Sequence, residues 1–75
     1  MSEMVRIDSA ITVSWDKDSN TASLEFGRSD RPRWTVPVTD EGTLVATLRF
    51  SEEGEILELE LLDAAKQLPR AMRGE

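Results

Sequence analysis

The 75-residue chain contains no cysteine, no histidine and no tyrosine. Without thiol or imidazole, Ser-His-Asp and Cys-His nucleophilic arrangements are impossible, and so are the usual zinc sites. No disulfide can staple the fold. The four glycines, Gly27, Gly42, Gly54 and Gly74, never reach the GxGxxG or GxxxxGK spacing that cradles phosphate, so nucleotide binding is not expected. No apolar run approaches the ~18 residues of a membrane span. The opening Met1-Ser2-Glu3-Met4-Val5-Arg6 lacks the basic start and apolar stretch of a signal peptide, which makes the cytoplasm the expected address. Neither a cofactor nor catalysis is expected.

Positive charge is also scarce. Nine Lys and Arg stand against 15 Asp and Glu, for a net charge of −6 and a pI near 4.6. That balance opposes nucleic acid, whose phosphates repel an acidic surface. A basic protein is the electrostatically easier partner, and the plainer alternative is that acidity keeps a small protein soluble.

The hydrophobic fraction of 39% against 32% charged is a globular balance rather than that of a disordered chain. The length allows one domain, near the lower limit for a core unaided by disulfides, metals or a second copy. Apolar residues alternate from Ile11 through Val13 and Trp15, the period-2 mark of a half-buried strand. Turn formers Asp16 to Asn20 lead into a second strand with Ala22, Leu24 and Phe26 on one face.

After a polar stretch, Trp34, Val36 and Val38 mark a third strand, and Pro37 makes it an edge or a locally broken one. Asp40-Glu41-Gly42 turns the chain into a fourth, with Leu44, Ala46, Leu48 and Phe50 on one face. Gly54, suited to a left-handed position, closes the turn before Leu57, Leu59 and Leu61 of a fifth. Asp63 has the side chain of a helix N-cap, with Ala64, Ala65 and Leu68 on the covering face and Pro69 as the stop.

The expectation is therefore an α+β domain over residues 1–75. It is a five-stranded antiparallel β-meander with one short C-terminal helix on one face, a core over about residues 5–68 and a loosely held tail over 70–75.

The run Glu52-Glu53-Gly54-Glu55-Ile56-Leu57-Glu58-Leu59-Glu60-Leu61-Leu62-Asp63-Ala64-Ala65-Lys66 resembles the C-terminal signature of a family of small prokaryotic proteins, the domain-of-unknown-function family numbered 2283. Trp15-Asp16 through Phe26 fits its first hairpin, so the resemblance spans roughly residues 11–68. It departs at Ser23, where the family usually has an aromatic, and at Ala65, where Ser is common. The resemblance implies a cytosolic setting and, from the family's pairing with small toxin-like proteins, an antitoxin or partner-binding role.

In an up-and-down meander, Asp16, Asp18, Asp40, Glu41 and Asp63 fall at one end of the sheet. There they form a candidate acidic surface for a basic partner, or an oxygen cluster for Ca²⁺ or Mg²⁺ or for acid-base hydrolysis. Against this, Asp in turns and at an N-cap has ordinary conformational reasons. The opposite end carries Arg28, Arg31 and Arg33 beside Glu52, Glu53 and Glu55, read as mutually neutralising.

Trp15 and Trp34 lie in phase with the inward face, as core or as interface anchors. A helix of two or three turns covers about two strands of five. Met4, Val5 and Ile7 or a second sheet must then cover the rest, which suggests a homodimer.

Three functions follow in order. The first is a non-catalytic interaction module, antitoxin-like in its sharpest form. The others are a self-associating structural homodimer and a carboxylate-based metal-binding enzyme.

Overall fold

The computed structural model of the protein describes residues 3–27, 31–32 and 34–74. Five strands form one antiparallel sheet: β1 (Thr12–Asp16), β2 (Thr21–Glu25), β3 (Trp34–Asp40), β4 (Thr43–Phe50) and β5 (Ile56–Leu61). A single helical turn, α1 (Ala64–Gln67), and a 3-10 turn (Arg70–Met72) follow. The α+β class, the five antiparallel strands and the short C-terminal helix are those expected.

The strand order is not that of a consecutive meander. It runs β1-β2-β5-β4-β3, so β5 inserts between β2 and β4 and the last four strands form a Greek key. Two features favour this order. β5 carries Leu57, Leu59 and Leu61, and a strand that apolar gains most from a neighbour on each side. β3 carries Pro37, which has no N–H for a second ladder and so belongs at an edge. The eight residues between Glu25 and Trp34 need to span only three inter-strand steps, about 14 Å, well within the reach of an extended chain.

Local chemistry sets each reversal. Asp16 Oδ1 accepts the Asp18 amide at 3.0 Å and the Ser19 amide at 3.4 Å, curling the four-residue β1–β2 loop. Asp40 pairs with Thr43 around Glu41 (φ 51°) and Gly42 (φ 82°), a two-residue turn with both central residues left-handed. Register shifts occur between Val38 and Thr39 in β3 against β4, and between Arg49 and Phe50 in β4 against β5.

Pairing puts Trp15, Ala22, Leu61, Ala46 and Val38 in one row across the sheet, with Val13, Leu24, Leu59, Leu48 and Val36 in the next. The core forms where α1 covers the first row. Ala22, Leu24, Ala46, Leu61, Ala64 and Leu68 are buried together, and Trp15, Val38, Val45 and Met72 pack against them.

Asp63 stands at the N-cap position, but its side chain does not cap the helix. The cap comes from the β1–β2 loop. Asn20, at φ 56°, accepts the Ala64 amide on its backbone carbonyl at 3.0 Å and the Ala65 amide on Oδ1 at 2.9 Å, while its Nδ2 donates to Asp63 Oδ1 at 2.8 Å. Gln67 completes the clamp, accepting the Asp63 amide at 2.8 Å and donating to the Val45 carbonyl at 2.9 Å.

One expectation about the ends of the chain differs from what is found. After Pro69, Met72 packs against the core and Arg73 Nε donates to the Leu68 carbonyl at 2.8 Å. Met4, Val5 and Ile7 do not cover the sheet. They are exposed, on a segment without strand or helix that precedes β1, and Ile11 lies just outside the strand it was expected to open.

Asn20→Ala is expected to destabilise the fold by about 2 kcal/mol, about half from the lost cap and half from the left-handed backbone. Asn20→Gly keeps the backbone and is expected to cost about 1 kcal/mol. Urea midpoints read both, and equal losses would remove the conformational part of the argument. Leu68, 1% exposed, is expected to cost about 2–5 kcal/mol on replacement by Ala, read the same way.

Candidate interaction surface

The strands alternate in direction, so the turns after β1 and β3 and the exit of β5 do lie at one end of the sheet. The five carboxylates nevertheless do not converge. β1 and β3 are opposite edges, four inter-strand steps or about 19 Å apart. Asp16 and Asp18 occupy one corner, and Asp40 and Glu41 the other. Asp63 sits between them, tied to Asn20. Among the described residues no three acidic side chains come together as a metal site requires. Inserting β5 brings Asp63 towards the middle and moves the β3–β4 turn to the far edge, so the five remain spread across the width of the sheet.

At the other end Arg31, Glu52, Glu53 and Glu55 are exposed, while Arg28 and Arg33 lie outside the described residues. Ser51, buried at 2% exposure, frames the β4–β5 turn there: its Oγ accepts the Glu55 amide at 3.2 Å and its carbonyl accepts the Gly54 amide at 3.0 Å. Gly54, at φ 88°, takes the left-handed position expected of it.

The polar face carries a charge group that residue spacing does not reveal. Arg49 pairs across the ladder with Glu58 and lies diagonal to Glu60. Its Nη1 is 2.9 Å from Glu58 Oε1, its Nη2 is 3.9 Å from Glu60 Oε1, and Thr47 Oγ1 is 3.4 Å from the same Glu60 oxygen. The buried Glu58 Oε1 is close to the guanidinium without an aligned N–H, so the contact is an ion pair rather than a well-formed hydrogen bond. Glu25 faces Glu58 from β2, which makes Arg49 the counter-charge for a locally acidic stripe.

The two tryptophans part company. Trp15 packs against the core with Lys17 Nζ 4.9 Å from its ring centroid, and its buried Nε1 has no hydrogen-bond partner among the described residues. Trp34 belongs to no core. It stacks on the cross-strand Phe50, centroids 5.5 Å apart and planes 15° from parallel, and remains 42% exposed.

Val36 beside it is 38% exposed, Leu48 and Phe50 are only half-buried, and Phe26 is exposed at the same end of β2. The β3–β4 side of the apolar face, farthest from α1, therefore stays partly exposed, although Leu57 on β5 in the same half is buried at 9% exposure. A helix of one turn covers less than the two or three turns expected, which enlarges that surface.

A double-mutant cycle over Arg49→Met and Glu58→Gln is expected to give a coupling of about 0.5–1 kcal/mol in urea unfolding. Zero coupling would make the pair a solvated contact.

No protein-family model, no curated protein and no solved structure matches the chain.

Proposed function

We propose that the protein is a non-catalytic protein-interaction module whose working surface is the partly exposed β3–β4 side of the apolar face around Trp34, Phe50, Val36 and Leu48. One observation carries this reading: a stacked aromatic pair stands on the sheet with Trp34 42% exposed. Large aromatics dominate association energetics when a partner desolvates them, and leaving them wet forfeits that gain. The cytoplasm is the setting proposed for it, as the sequence suggests, and among the described residues no helix is long and apolar enough to cross a membrane.

Antitoxin-like capture of a small basic protein, drawn from the resemblance to the family numbered 2283, is a second reading that uses the other end of the sheet. The exposed pairs Asp16 with Asp18 and Asp40 with Glu41 support it, as two acidic corners at one end of the sheet. A partner held that way would contact the corners rather than a central cluster, and its binding would weaken steeply with salt.

A photo-crosslinking residue placed at Val36 is expected to capture a protein in native cytosol. The same residue at Ser14, on the opposite face of the sheet, is expected to capture no other protein. Equal labelling from both faces, or no adduct from Val36, would refute the assignment of the surface.

A further inference from the structure

The alternation that marks β1 starts well before β1. Val5, Ile7 and Ile11 stand in phase with Val13 and Trp15, while Arg6 and Asp8 stand in phase with Thr12, Ser14 and Asp16. Only Ser9 interrupts the apolar set, so residues 5–11 read as a strand that runs on into β1.

That stretch has no ladder among the described residues. β1 pairs with β2 only over Thr12 to Asp16, and the chain beyond Glu25 turns away at Gly27 (φ 105°). Residues 3–11 lie outside any strand or helix, with Met4 95%, Val5 68% and Ile7 80% exposed. Arg6 Nε is 3.5 Å from Asp8 Oδ1, a contact between alternate side chains that extended backbone puts on one side.

The two edges of the sheet are guarded differently. β3 has Pro37 and a register shift between Val38 and Thr39, both of which deter strand addition. β1 pairs with β2 without a shift, and residues 3–16 contain no proline, glycine or lysine. Every amide in that stretch can donate to a neighbour. β1 by itself offers five residues, and the arm continues it in phase.

We propose that two copies of the chain exchange these arms, residues 6–10 of each lying antiparallel along the open edge of β1 of the other, with Ile11 on the two-fold axis. Phase and charge select this register. Opposite residues of an antiparallel pair face the same side, so apolar meets apolar only when the axis passes through a residue. With the axis at Ile11, Arg6 of one copy meets Asp16 of the other, Ile7 meets Trp15 and Asp8 meets Ser14. The axis at Thr12 sets Asp8 against Asp16, and at Ala10 it leaves Arg6 against Ser14. An axis at Ile7 matches Arg6 with Asp8 but joins only the arms, and two strands without a sheet are marginal.

Each β1 gains a ladder on its open side, and each arm gains a sheet. Repulsion between two copies of charge −6 is screened beyond about 8 Å at physiological salt, so the local pairs decide. The contact leaves the Trp34 surface free and so goes beyond the reading of that surface.

Sedimentation equilibrium of the full chain at tens of micromolar and physiological salt is expected to return twice the 8.4 kDa monomer mass. Arg6→Pro combined with Ile7→Pro removes an inward amide whichever way the ladder runs, in a segment outside the core, and is expected to return the single-chain mass with the far-UV spectrum retained. Arg6→Glu is expected to raise the dimer Kd about tenfold, and Val36→Arg to leave it unchanged. A monomeric wild type overturns the exchange. A dimer that survives the two prolines, or is lost with Val36→Arg, overturns its placement.

Disulfides read the register in a chain with no native cysteine. Ile11→Cys sets two thiols opposite each other and is expected to give a covalent dimer on mild oxidation, whereas the two copies of Ile7→Cys lie about 27 Å apart and are expected to give none. The reverse pattern overturns the register. If the wild type is monomeric while Val36 still crosslinks a different protein, the exchange falls and the interaction module stands.

Discussion

The carboxamide of Asn20 decides which part of this sheet becomes a core. α1 is one turn long, too short to be stable as a helix by itself, and it persists only because its amides are met from outside. Asn20 meets the first two of them from the β1–β2 loop, and Gln67 ties the same turn to Val45 on β4. Those contacts pin the helix over the row Trp15, Ala22, Leu61, Ala46 and Val38. Leu68 can then fill the space over small residues such as Ala22 and Ala46. Beyond the reach of that turn Trp34 and Val36 stay exposed, so the clamp that makes the core also leaves that side of the apolar face open.

Much of the fold was legible because alternation survives every change of topology. Strand existence, strand faces and the turns at Asp40-Glu41-Gly42 and Gly54 follow from side-chain period and left-handed backbone preference, and neither depends on which strands are neighbours. Strand order is a different matter. A consecutive meander places β3 at the centre of five, where Pro37 would cost a ladder hydrogen bond, so the proline already spoke against the order that the short connections suggested. The apolar density of β5 spoke the same way. Loop length is a local prior, and it lost to the burial of three leucines and to a missing N–H.

The surface was less legible. Trp15 and Trp34 share the same phase in their strands, and phase fixes the face but not the row. Trp15 falls in the row under α1 and becomes part of the core. Trp34 opens its strand at the far end and stays exposed. Only the register distinguishes them. The five carboxylates failed to gather for a related reason: strand direction fixes the end of the sheet but not the lateral position, and in either strand order they are spread across its width. The Arg49, Glu58 and Glu60 group was invisible because it needs the register of β4 against β5, which the shift at Phe50 helps to set. Asp63 looked like a cap from its position alone, and the distant Asn20 gave no local sign that it would take that role.

The two faces of the sheet meet different physical demands. On the polar face the problem is charge: Glu25, Glu58 and Glu60 sit close together, and Arg49 offsets part of their charge from within the sheet. On the apolar face the problem is area, and one helical turn cannot solve it. Leu68 is already extended before Pro69, so α1 ends at Gln67 and the chain passes into the 3-10 segment. The proline therefore limits the core from within the sequence, as Pro37 limits the edge. Together they leave a small fold with an uninviting β3 edge and, on the apolar face, a Trp34–Phe50 stack that α1 does not reach.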